Sequence, residues 1–330
     1  MKSLNILSIL FVYLVISCQQ PSRDIEQDQP VKKIPVIIDT DANNEVDDQH
    51  ALAYLFLNDD IFNIRGVTVN ATFNGGEIKG HLDEAQRVMH LLNVKGKYPL
   101  HAGANDNFSV IQHQLDSSSF DGQPAVDFII KEARQSTDTL VLLPVGKLTN
   151  IALAIKKAPD IKEHIRIVWL GSNYPEKGEY NQENDTIALN YLLNQEVAFE
   201  IVTVRYGKPS GSDVVKATPG DIDQYLKGKG PKVSPIEGRH GGFFETFGDY
   251  SVNLFEHIGL YGDPPSRALF DMVAVAILKN PQWGKKTQLS APILINDQWV
   301  NRPQNQRKII LWENFDKEAI LMDFYHSFEK

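Results

Sequence analysis

A chain of 330 residues has room for one large α/β domain or two ordinary ones. Its 42% hydrophobic and 23% charged content is that of a soluble globular protein. A net charge of −9 and the lack of any long basic run argue against a nucleic-acid partner, because an acidic surface repels phosphate backbones.

Met1-Lys2 opens a short basic region, and Leu4 to Ile16 is apolar apart from Asn5 and Ser8. That run is too short for a stable membrane span and fits the core of a signal peptide. It ends in Val15-Ile16-Ser17-Cys18, which resembles a lipobox, where a peptidase cuts before the cysteine and the thiol receives lipid. Cys18 is the only cysteine, so no internal disulfide is available to an exported chain. The expectation is a lipoprotein signal peptide over 1–17 and a flexible tether over 18–33, rich in Gln, Asp, Pro and Ser, followed by one α/β domain over 34–330. Such a protein is exported and lipid-anchored at Cys18 to a bacterial membrane, on its periplasmic or cell-surface side. An ordinary signal peptide that happens to contain Cys18 is the alternative.

Pro35-Val36-Ile37-Ile38 reads as a buried parallel strand ending in Asp39. The apolar spacing of Val46, Ala51, Leu52, Leu55 and Phe56 suits a helix over 45–57, and 64–69 reads as a second strand. Helical spacing returns over 77–92, 124–134 and 148–158, with strands over 139–145 and 165–170. The stretch 207–242, rich in Gly, Lys, Pro and Ser, reads as a mobile insertion rather than core. A strong helix is expected over 267–278, closed by Asn280-Pro281, and 293–295 and 308–312 could form a closing hairpin. Alternating strands and helices predict an open, mainly parallel, Rossmann-like sheet covered by helices on both faces. Ligands bind such sheets beyond the carboxyl ends of the strands, where Asp39, Gly146 and Gly171 fall.

The most informative stretch is Asp39-Thr-Asp-Ala-Asn-Asn-Glu-Val-Asp-Asp48, five acidic residues in ten directly after a buried strand. Asp47 and Asp48 fall in or near the first turn of the next helix, where the dipole favours negative charge. That effect is too small to offset several converging carboxylates, which either protonate or recruit a cation. With only oxygen donors nearby the ion is a hard one, Ca²⁺ first and Mg²⁺ second. Helix caps in a solvated acidic loop are the plainer reading of any single one of these aspartates.

Three segments in order resemble the inosine-uridine nucleoside hydrolases. They are Asp39-Thr40-Asp41 with Asp47-Asp48 before Ala51-Leu52, then Gly146-Lys-Leu-Thr-Asn150, then Asp271-Met-Val-Ala-Val-Ala, and together they span about 34–278. The resemblance implies a nucleoside hydrolase fold and a Ca²⁺ held by the carboxylates of Asp41, Asp48 and Asp271 and the backbone carbonyl of Thr149. It implies that Asp47 holds ribose hydroxyls and that Asp41 deprotonates the water that attacks the anomeric carbon. The substrate is then a small nucleoside or other riboside, the only membrane contact is the lipid anchor, and a homo-oligomer is suggested. Among amides, Asn190 is matched to the family's Asn after an acidic-aromatic pair, and Asn173, Asn70 and Asn74 follow expected strands, where each could equally be a turn residue.

The chain also departs from the family pattern. The usual first loop is Asp-x-Asp-Pro-Gly-x-Asp-Asp; here Ala42-Asn-Asn-Glu-Val46 replaces the Pro-Gly insert, so Asn43, Asn44 and Glu45 are expected in the pocket. The family's Glu two residues before the matched Asn is read as Ala188. Phe270 stands where many members carry a proton-donating His. His240, between glycines in Glu237-Gly-Arg-His-Gly-Gly242, is the candidate replacement acid, with His257 second. Two other classes remain open: a Mg²⁺-dependent phosphatase of the haloacid dehalogenase type, with Asp39 as nucleophile, and a non-catalytic lipoprotein that captures a nucleoside or sugar.

Overall fold

The run Ile34–Thr40 forms strand β1, and its alternate side chains face opposite ways. Val36 and Ile38 enter one hydrophobic core while Ile37 enters a second, and all three are fully buried. Burying an aliphatic side chain of this size contributes roughly 1.5–3 kcal/mol. The sheet must therefore be covered on both faces, as the continuous apolar run requires. The computed structural model describes residues 32–330, and Lys33–Lys330 form one unit. The signal peptide, Cys18 and nearly all of the tether lie outside the described residues.

The other strands of the main sheet are β2 (Phe62–Val69), β3 (Leu100–Ala102), β4 (Leu140–Pro144), β5 (Ile165–Leu170), β6 (Ala198–Val202), β7 (Lys285–Ser290) and β8 (Lys308–Glu313). Their order is β7-β8-β6-β5-β4-β1-β2-β3, eight strands with only β7 antiparallel to its neighbour. This confirms an open, mainly parallel sheet. The chain leaves β1 for β2 and β3 on one side and returns to place β4 on the other. Such a reversal opens a crevice beyond the strand ends. Register puts Asp39 beside Thr68 of β2 and Pro144 of β4, so the loop after Asp39 emerges into that crevice.

Helices α1 (Asp47–Phe56), α2 (Ile78–Leu91), α3 (Gln123–Gln135), α4 (Thr149–Lys157), α5 (Tyr180–Asn184), α6 (Thr186–Leu193), α7 (Phe247–Glu256), α8 (Phe270–Lys279) and α9 (Lys317–His326) pack around it. All ten residues of α1 are buried, since α1 lies against both α8 and α2. Among the described residues no helix is long and apolar enough to cross a membrane.

Three expectations are corrected. The 207–242 segment is not a bare insertion: it carries a helix, Pro219–Tyr225, whose Ile222 and the following Leu226 are fully buried in the main core with Val215 and Ala217. Its many polar residues lie outside those apolar anchors, so composition hid them. The late helix begins at Phe270, not at residue 267, because Arg267 and Ala268 pair with Ala217 and Lys216 and the Leu269 amide donates to Val215 O. Ile293–Ile295 pairs with Gln298–Val300 instead of 308–312. Asn296 and Asp297 take φ of 47° and 58°, the left-handed pair that a two-residue hairpin turn needs. Lys308–Glu313 is thereby free to enter the main sheet between β7 and β6.

Candidate active site

The first aspartate of the loop is an anchor. Asp39 is fully buried and accepts from Thr68 Oγ1 (2.5 Å), Asn70 Nδ2 (2.6 Å) and Asn150 Nδ2 (2.7 Å). It ties the end of β1 to β2 and to α4, which is the role found for Asn70 and Asn150 as well. Asp41, two residues on, accepts from Thr72 Oγ1 at 2.5 Å. Gly146 passes so close to it that a methyl there would sit 2.8 Å from Asp41 Oδ1. Only glycine allows β4 and β1 to close around this carboxylate.

Asp47 and Asp48 occupy the first turn of α1 and Asp271 the first turn of α8, so two helix N-termini meet at one point. Carboxylate oxygens of Asp47, Asp48 and Asp271 lie within 4.8 Å of one another, and all three residues are buried. Thr40 Oγ1 donates to Asp48 and orients it. Together with Asp41 these residues line one cavity of about 100 Å³. Burial pushes Asp41 and Asp47 up to about 7, with charge repulsion adding to it. Asp48 and Asp271 are raised well above the usual range, first by burial and then by the neighbouring aspartates. A cluster in this state holds protons or a cation. Its donor set is all oxygen, which fits a hard divalent ion.

The structure therefore brings Asp41, Asp47, Asp48 and Asp271 together, from positions up to 230 residues apart in sequence. Asp47 stands within the tight carboxylate trio rather than to one side of it. Thr149 is not part of the lining: it is buried in the first turn of α4, and its hydroxyl donates to Asp185 at 2.5 Å. Val145, just before Gly146, lines the cavity, and its carbonyl accepts from Asn181 Nδ2 at 2.8 Å.

Of the substituted loop, Asn44 and Glu45 line the cavity. Asn43 turns away, its Nδ2 donating to Gly75 O at 2.8 Å. Glu45 forms an ion pair with Arg267. Asn74 is exposed and lies outside the lining, its amide donating to Tyr180 Oη at 3.0 Å. Asn173 also lies outside and accepts from the Tyr206 amide at 3.1 Å. Asn190 is far from the site by partnership: it exchanges two hydrogen bonds with Leu294, of 2.7 and 2.9 Å, and clamps the 293–295 strand. His240 is exposed and stacks on His257 at 4.7 Å and 8°. Its neighbour Arg239 is what reaches the loop, donating to Glu45 O at 3.0 Å and to Asn44 O at 3.4 Å.

Four polar residues that the sequence did not single out also line the wall, Glu179, Tyr180, Asn181 and Tyr206, beside the apolar Leu170 and Val204. The acidic-aromatic-Asn run is Glu179-Tyr180-Asn181, nine residues before Asn190, and it follows the strand β5 closely enough to have been found. Its Glu stands two residues before its Asn, so the missing Glu assigned to Ala188 is present after all. Glu179 accepts from the amides of Ser172 (2.7 Å), Gln182 (2.9 Å) and Asn181 (3.0 Å). Burial still pushes it up to about 7 against those donors. Tyr206 carried no sequence signal; it lies just before the 207–242 stretch read as an insertion.

The family model of the inosine-uridine preferring nucleoside hydrolases matches residues 36–320. Among curated proteins, a pyrimidine-specific ribonucleoside hydrolase RihB of Shigella flexneri serotype 5b is 29% identical over 169 residues, 50% of this chain and 49% of the relative. The RihB of Escherichia coli O1:K1 is 30% identical over 171 residues, again 50% and 49%. The chain thus spans about half the length of the curated relatives it matches. Among solved structures, a plant nucleoside hydrolase, the PpNRh1 enzyme, superposes with a TM-score of 0.70 at 14% identity, covering 90% of this chain and 99% of that one. A purine-preferring ribonucleoside hydrolase from Gardnerella vaginalis gives 0.68 at 18%, covering 89% and 98%. At such identities the superpositions speak for the fold alone. The family match over most of the chain, with the aspartates of both distant segments on one cavity, makes this chain a member of the inosine-uridine preferring nucleoside hydrolase family.

Proposed function

We propose that this protein hydrolyses the N-glycosidic bond of a ribonucleoside or related riboside. The observation that carries the reading is the convergence of Asp41, Asp47, Asp48, Asp271 and Glu179 on one small cavity at the carboxyl edge of a parallel sheet. Breaking a C–N glycosidic bond builds positive charge on the sugar ring. Fixed carboxylates favour that charge over the neutral ground state and need no reorganisation as it forms. Asp41, braced by Thr72, is the base that takes the proton from the attacking water. Asn181, Glu179 and Asn44 offer donors and acceptors for the sugar hydroxyls around the same wall. The Asp47, Asp48 and Asp271 carboxylates, with Asp41 beside them, are the residues that would hold Ca²⁺, which lowers the pKa of a bound water and orients a sugar diol. His240 receives no role in this scheme, because its ring lies outside the cavity.

The named activities of the RihB relatives support a nucleoside as substrate. The phosphatase alternative loses its basis, since the Asp39 nucleophile it needs is fully buried with its carboxylate already engaged by three donors. Release of free ribose from a panel of nucleosides tests the proposal directly. The Asp41→Asn protein is expected to keep much of its Ca²⁺ affinity and to lose turnover by about two to four orders of magnitude. Equal turnover in variant and wild type would remove Asp41 as the base, and no ribose from any nucleoside would favour a capture protein. Lipid attachment at Cys18 and export rest on the lipobox alone; uptake of labelled fatty acid by a Cys18→Ala chain would exclude that site.

A further inference from the structure

The acidic cavity adjoins a second one of about 400 Å³, and the two share Glu45, Tyr206 and Phe270 in their walls. Phe270 stands at the junction, its ring edge-on to Tyr206 with centroids 5.7 Å apart and an interplanar angle of 81°. Tyr261 adds a third ring to the larger chamber. The chamber's four charged side chains cancel in pairs, Glu45 with Arg267 and Asp213 with Lys216 at 2.8 Å. Neither cavity has a histidine in its lining among the described residues. Both chamber carboxylates already face a cation, so their oxygens accept rather than donate. The Tyr206 phenol is a poor acid, raised by burial and by nearby Glu179.

The leaving-group side is thus aromatic, without net charge, and without an acid suited to protonate a departing nitrogen. The sugar side is the opposite. When ionised, Asp41, Asp47, Asp48 and Asp271 carry twice the charge of one divalent ion, so the inner cavity stays anionic when one is bound. We propose that the preferred substrate is a riboside whose leaving group is cationic while attached, an N-ribosylpyridinium, rather than a neutral nucleoside. The inference rests on the N-ribosyl hydrolase reading and deepens it.

The chemistry balances with water alone. Cleavage of the C1′–N bond sends its electron pair to the ring nitrogen, and the pyridinium leaves as a neutral pyridine. The water oxygen bonds to C1′, and its proton passes to Asp41 and then to solvent. No proton is needed on the leaving group, so Phe270 costs nothing at its position. Positive charge moves from the aromatic chamber toward the carboxylates as the bond breaks, the direction their field favours. In the ground state the cation shares the chamber with the rings of Tyr206, Tyr261 and Phe270, and aromatic rings attract cations. A neutral nucleoside would instead have to release an anionic nitrogen beside an apolar ring and an acidic cluster.

The test compares nicotinamide riboside, uridine and inosine as substrates of the full-length protein in Ca²⁺. Positioned acids contribute about 10²–10⁴-fold, so kcat/KM for nicotinamide riboside should exceed that for either nucleoside by about 100-fold or more. Phe270→His should raise the two nucleosides by about tenfold or more, through the proton it supplies, and nicotinamide riboside far less. Uridine or inosine cleaved as well as nicotinamide riboside by wild type would overturn the inference and leave the hydrolase reading intact. Cleavage of none of the three would overturn both. The wild-type ranking decides the matter even if the Phe270→His chain fails to fold.

Discussion

Replacing Asp271 by Asn should stabilise the metal-free protein and abolish its response to calcium. In the wild type an Asp271 carboxylate oxygen lies within 4.8 Å of oxygens on Asp47 and Asp48. Two ionised groups at that distance repel by about 3.5 kcal/mol at an effective dielectric of about 20. The folded protein escapes part of this by binding protons, at about 1.4 kcal/mol per unit of pKa, so the relief realised at pH 8 is about 1–3 kcal/mol. The sign with pH follows from the raised values. Asp271 itself is held well above the ordinary 3.8, first by burial and then by the charges on Asp47, Asp48 and Asp41. The stability it contributes as a protonated group is complete in acid and is lost as pH rises beyond the ordinary aspartate range, so the advantage of the variant grows with pH. Calcium reverses the order, because saturation at about 100 times Kd adds about 2.7 kcal/mol to a protein that binds it. Thermal unfolding followed by circular dichroism at pH 8, with EDTA and with CaCl₂, reads both effects. At about 2–4 °C per kcal/mol, the variant should melt several degrees higher in EDTA and lower than wild type in calcium. A variant less stable than wild type in EDTA, or equal calcium shifts in both proteins, would show that these aspartates are not a mutually repelling cation site.

Two further outcomes follow from the packing around the site. Gly146→Ala places a methyl 2.8 Å from Asp41 Oδ1 and 2.9 Å from both Asn70 side-chain atoms, so Asp41 must move. A displacement of that order costs about 100-fold in turnover, and unchanged kcat with normal folding would show that the position of Asp41 is not critical. His50 is fully buried between Phe247, Phe255 and Phe324, with Nε2 2.7 Å from Ser251 Oγ. Burial lowers it to about 4, so its ring should stay neutral through neutral and mildly acidic pH. A histidine NMR titration with its midpoint above 6 for this residue would contradict the packing.

Much of the architecture could be read before any coordinates. The apolar run at 35–38 had to be an interior strand, since both of its faces are apolar, and the runs at 64–69 and 165–170 read as further strands of the same sheet. The five acids at 39–48 had to meet a cation or hold protons, since the chain crowds them locally whatever the rest does. Those conclusions depend on neighbours in sequence, and so does the run Glu179-Tyr180-Asn181, which was legible but was matched to Asn190 instead. Other features were decided by contacts between distant segments. Which end of the loop faces the cavity is one: Asn43 is drawn off by Gly75, and Glu45 is drawn in by Arg267, 222 residues away. His240 is another, a histidine between glycines that the fold spends on a surface stack with His257 while Arg239 makes the loop contact. Local sequence specifies which groups must be buried or charged together. Only the three-dimensional packing, in which α8 lies against α1 and β5, selects the partners, because partner choice depends on through-space distance rather than on separation along the chain.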